Sequence, residues 1–137
     1  MRFDWNQYLV LAKTLSKAAA DEASLRSAVS RSYYSAFKLA CERAELSGYR
    51  EKFDETGGSH QLLWTLFGRN VKSEDCKRIA LLGPRMKRRR VKADYQPEYP
   101  KLTDDVRIAI EDAEECLSLL ARLPKGIPED IPRSWSV

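Results

Sequence analysis

Six of the eight residues from Arg85 to Lys92 are basic (Arg85, Lys87, Arg88, Arg89, Arg90 and Lys92), and Asp94 and Tyr95 follow almost at once. Cations at this density attract phosphate through counterion release and long-range field, so a nucleotide or RNA is the first candidate ligand. A basic run on a helix also serves simply as a solvated face. The formal net charge is +4, and removing these six charges leaves −2, so the basicity is local rather than general. Asp94 stands four residues after Arg90, the spacing at which an ion pair forms along one helix face. Arg31, Tyr33 and Tyr34 offer a further guanidinium and two phenol rings. Two readings of this set stand side by side: a connected polar network that only fixes helix register, or a cleft lining. In the second reading Arg90 holds a phosphate while Tyr34 or Tyr95 stacks on a base, and the candidate ligand-binding residues are Arg31, Tyr34, Arg89, Arg90, Asp94 and Tyr95.

Other chemistry is thinly represented. His60 is the single histidine and, with Arg90, the candidate for catalysis, since an imidazole titrates near neutrality. Lone histidines at helix starts also serve as capping or packing residues. Ser30, Ser32 and Ser35 surround the tyrosines without a nucleophile elbow or a histidine partner, and Gly57-Gly58 lacks the lysine of a phosphate loop. Cys41, Cys76 and Cys116 are too scattered for a disulfide framework or a zinc site, and they read as reduced thiols in or near a core. No metal and no cofactor is expected.

These residues need helices to position them. Trp5, Tyr8, Leu9, Ala12, Leu15 and Ala19 form one helical stripe after a cap at Asp4. A new start near Asp21 opens a long helix ending near Gly48, with the small-residue stripe Leu25, Ala28, Val29, Ser32, Ala36, Ala40 and Ala44. Small residues permit close approach, which predicts a central position in the bundle. The stretch from Ser47 to Gly58 reads as a mobile loop. Ser59 is expected to cap a short helix with Leu62, Leu63, Leu66 and Phe67, and Ser73 to cap a fourth whose inner face is Ile79, Leu82 and Met86. Continuing that face brings Arg89 or Arg90, then Ala93, toward the core side, while Gly83-Pro84 predicts a kink or break. Thr103 is expected to cap the last helix, which carries Val106, Ile110, Ala113, Leu117, Leu120 and Leu123.

A chain of 137 residues with 43% hydrophobic and 32% charged residues fits one helical domain. The expected architecture is all-α, an up-and-down bundle of about five helices over residues 1–124 with a proline-rich tail over 125–137. No apolar stretch approaches the roughly 20 residues needed to span a bilayer, and Asp4 and Trp5 interrupt any leader-like amino terminus, so a cytoplasmic location without membrane contact is expected.

The stretch Arg26-Ser27-Ala28-Val29-Ser30-Arg31-Ser32-Tyr33-Tyr34-Ser35-Ala36-Phe37, followed by Ser59-His60 and then Arg90-Val91-Lys92-Ala93-Asp94-Tyr95, resembles the HEPN family (higher eukaryotes and prokaryotes nucleotide-binding domain). The resemblance runs from about Asp4 to Leu123. It implies a helical bundle that forms homodimers and is often paired with a nucleotidyltransferase-type partner protein in toxin-antitoxin-like systems. Many members are metal-independent ribonucleases in which an arginine is followed, after four to six residues, by a histidine. Here Val91, Lys92, Ala93, Asp94 and Tyr95 follow Arg90 and no histidine lies beyond. The expected function is therefore a binding and regulatory module for a nucleotide, RNA or a nucleotidyltransferase partner. The alternatives are an endoribonuclease toxin and a structural helical dimer without ligand.

Overall fold

The computed structural model describes residues 2–17, 21–48, 57–70 and 72–123. Among the described residues the fold is an all-helical bundle of five helices: α1 (Asn6–Lys17), α2 (Glu22–Leu46), α3 (Gly57–Gly68), α4 (Glu74–Tyr95) and α5 (Leu102–Arg122). The expected tail, and most of the loop read as mobile, lie outside the described residues.

Local chemistry sets most boundaries. The Asp4 carboxylate accepts the backbone N–H of Asn6 at 3.0 Å at the start of α1. Asp21 caps α2 by accepting the Ser24 N–H at 2.7 Å, and Gly48, at φ 89°, ends that helix in a left-handed conformation that a side chain would resist. Ser73 caps α4 through the Cys76 N–H at 3.1 Å, with Glu74 and Asp75 in the dipole-favoured first turn.

The small-residue stripe does put α2 at the centre, packed on α1, α4 and α5 and touching α3. Ala28, Ala36, Ala40 and Ala44 are all fully buried, which lets neighbouring backbones approach closely. Cys41, Cys76 and Cys116 are buried on α2, α4 and α5. No described helix is long and apolar enough to cross a membrane.

Three expectations are corrected. Of the kink or break expected at Gly83-Pro84, the break does not occur: α4 stays helical from Glu74 to Tyr95. Proline removes the donor that the Ala80 carbonyl would use, yet Ile79, Leu82 and Met86 on either side are buried, and that packing outweighs one lost bond. Gly83 also has a positive use. A Cβ there would overlap the Trp64 indole, so glycine is what allows α3 to lie on α4. Thr103 does not cap α5. The helix starts earlier, with Leu102 buried in the core and the Asp105 N–H bonded to the Lys101 carbonyl at 2.9 Å, without any side-chain cap. Likewise Ser59 lies inside α3, which starts at Gly57, so it stands two residues past the helix start rather than at a cap position.

Candidate functional site

The basic stretch occupies one length of α4 and is divided among the faces of that helix. Arg85, four residues before Arg89, shares with it the side turned to α5. Both grip Asp112: Arg85 through Nε and Nη2 at 3.2 and 3.1 Å, Arg89 through Nη1 at 2.7 Å. Asp112 is buried, so this three-residue cluster works as an interhelical clasp. Arg89, expected among the ligand contacts, is thereby directed away from the tyrosines.

Arg90 takes the inward side, between α4 and α2, and is 9% exposed. Its Nη1 lies 3.3 Å from Asp94 Oδ2, and the same carboxylate oxygen accepts from Ser30 Oγ at 3.4 Å. The guanidinium carbon sits 5.4 Å from the Tyr34 ring centroid and 5.8 Å from that of Tyr33. Burial works against the charge of Arg90, but Tyr34 and Asp94 outweigh it and hold its pKa above the usual value. Among the described residues, Nε of Arg90 has no acceptor.

Arg31 completes this face. Its guanidinium lies 4.7 Å from the Tyr8 ring centroid and 5.9 Å from that of Tyr34. Tyr34 therefore has two guanidinium groups within cation–π range, those of Arg31 and Arg90. Arg90 is neutralised by Asp94, whereas Arg31 has no carboxylate partner among the described residues. The structure thus brings together Arg31, Tyr34, Arg90 and Asp94 of the expected set. Tyr95, at the end of α4, is 72% exposed.

His60 stands behind this face, not on it. It is 1% exposed, its ring stacks on Phe37 at 4.0 Å with planes 10° apart, and its Nδ1 shares a 2.6 Å hydrogen bond with the Tyr33 hydroxyl. Trp64 Nε1 donates to the same hydroxyl at 3.2 Å. Burial raises the Tyr33 pKa well above the ordinary phenol value, so the hydroxyl stays protonated. Tyr33 contacts both His60 and Arg90, which joins the two catalytic candidates through one residue while the imidazole stays buried. Among the described residues, no three His, Cys, Asp or Glu side chains gather in a group able to hold a metal ion.

Two features escape a reading by residue type. Arg26 donates through Nη1 to the carbonyls of Ala93 and Gln96 at 2.9 and 2.6 Å and so ties off the end of α4, a C-cap supplied by another helix. A groove of about 400 Å³ between α3 and α4 is edged by Lys87, Arg88 and Lys92. Its only signal in the sequence is the spacing of these residues from Pro84, at three, four and eight positions along the helix.

Fold and site together define, among the described residues, a bundle of five helices with an arginine–tyrosine face between α2 and α4. No family model, no curated protein and no solved structure matches the chain.

Proposed function

We propose that this chain is a HEPN-like binding module whose Arg31–Tyr34–Arg90–Asp94 face takes a phosphate-bearing ligand, a nucleotide or RNA. One observation carries the reading: Tyr34 lies within cation–π reach of two guanidinium groups, and one carboxylate serves the pair. Positive charge in excess beside a phenol ring suits a ligand that joins a phosphate to a flat base. Arg31, half-buried, is the more accessible cation of the two, while the largely buried Arg90 holds Tyr34 and Asp94 in place.

Binding is favoured over RNA cleavage by the position of His60. A proton-transfer residue must come within hydrogen-bond reach of the substrate. His60 is enclosed by Phe37 and Tyr33, and its Nδ1 is committed to the Tyr33 hydroxyl.

The test is fluorescence anisotropy with a labelled mononucleotide and a labelled short RNA over a salt series, with RNA integrity followed in excess chelator. Binding that weakens with salt, falls in Arg31→Ala and leaves the RNA intact supports the module. Cleavage abolished in Arg90→Ala overturns it in favour of a ribonuclease. Absence of binding to either probe, in a folded protein, overturns the nucleotide reading and leaves a nucleotidyltransferase-type partner or a structural dimer.

A further inference from the structure

The α3–α4 groove is a site separate from the Arg31–Tyr34 face. Lys87, Arg88 and Lys92 stand on its rim, and none of the three has a carboxylate partner among the described residues, although the neighbouring Arg85, Arg89 and Arg90 all do. Pro84 and Val91 form an apolar floor above the buried Trp64, and Val91 is 38% exposed. The amide side chains of Gln61 and Gln96 also border the groove and can donate to or accept from a base edge. From Lys87 to Lys92 the helix rises about 7.5 Å, so the cations follow the groove rather than meeting at one point.

We propose that this groove seats one strand of single-stranded nucleic acid, with phosphates along the Lys87–Arg88–Lys92 rim and an unstacked base on the Pro84–Val91 floor. Three considerations select that ligand. Cations left unneutralised in a row match a polyanion rather than a single anion. The apolar floor is of use only to a ligand that exposes a flat apolar surface next to its charge, as an unpaired base does. A duplex keeps its bases stacked inside and would meet only the rim, and the groove volume of about 400 Å³ holds a base but not a double helix. The proposal does not depend on the Arg31–Tyr34 face binding anything.

The experiment measures anisotropy of a labelled 12-nucleotide oligouridylate and of a 12-base-pair RNA duplex with the full chain. It compares wild type, the triple variant Lys87→Ala/Arg88→Ala/Lys92→Ala, Val91→Asp and Arg31→Ala, each first checked for wild-type helicity and melting. The expected results are tighter binding of the single strand than of the duplex and a loss of at least about tenfold in the triple variant. The salt slope for the single strand should fall by about two in that variant, roughly 0.7 for each phosphate contact removed. Val91→Asp should weaken the single strand more than the duplex. Unchanged oligouridylate binding in the folded triple variant overturns the proposal, as does equal affinity for duplex. Polyglutamate that displaces the oligonucleotide at lower concentration than unlabelled oligouridylate also overturns it, in favour of an acidic protein partner. Loss confined to Arg31→Ala would sink the groove while sparing the proposed face, and loss confined to the triple variant would do the reverse.

Discussion

The Tyr33 hydroxyl lies 2.6 Å from His60 Nδ1 and also accepts from Trp64 Nε1 at 3.2 Å, so one oxygen on α2 joins two side chains of α3 inside the core. Tyr33→Phe removes that oxygen without changing the ring. Polar groups left in the core lose a partner they cannot replace from solvent, at a cost of about 1–3 kcal/mol. Urea unfolding followed by circular dichroism should show a lower midpoint with an unchanged slope. A midpoint equal to wild type would mean that the oxygen contributes nothing net.

Gly83→Ala tests the contact between α3 and α4. In an exposed helix this substitution stabilises, because alanine is the better helix former. Here the added Cβ meets the Trp64 indole, which is itself buried, so overpacking of about 1–3 kcal/mol is expected instead. The melting temperature should drop. A rise would show that Trp64 can move aside.

Asp112→Asn probes the clasp on Arg85 and Arg89. Removing the charge leaves two guanidinium groups, one of them largely buried, without their carboxylate. The destabilisation should be about 3 kcal/mol, the low end for breaking a buried pair, because Arg85 is still partly solvated. The same variant frees two cations, so its affinity for oligouridylate should rise at low salt. Unaltered stability would show that the clasp is no more than a surface pair.

Acid should destabilise the fold through groups whose partners prefer the carboxylate. The Ser24 backbone N–H holds Asp21 below its usual 3.8, and the hydrogen bond from Arg78 holds Glu115 below 4.5. Each folded pKa is depressed, so the stabilisation is present above the ordinary value and is lost as pH falls through the folded one. Asn still caps a helix but does not titrate in this range. Asp21→Asn should therefore match wild type near neutral pH and show a flatter loss of stability below about pH 4. An identical acid limb would remove Asp21 from the account.

The helices were legible because their signals are local. Asp21 and Ser73 mark boundaries by side-chain capping and Gly48 by its backbone freedom, and the alanines of α2 announce a close-packed helix by size. Position within the site was legible only where one helix supplies both partners, as with Arg90 and Asp94. The destination of Arg89 depends on Asp112 of α5, and the enclosure of His60 depends on Phe37 and Tyr33 of α2. Such pairings arise from packing between helices distant in sequence, which periodicity does not report. The helical continuity through Pro84 was hidden for the same reason, since buried neighbours overrule a local breaker.

The division of α4 also says which changes of chain length the protein can tolerate. Each residue turns a helix by about 100°. One residue inserted between Pro84 and Arg85 would carry the clasp arginines off Asp112, swing Arg90 out of its place beside Tyr33 and Tyr34, and move the rim cations away from their groove together. The three tasks are fixed by one phase angle, so a single insertion between Gly83 and Asp94 disturbs all three, whereas a substitution at one basic residue disturbs only its own.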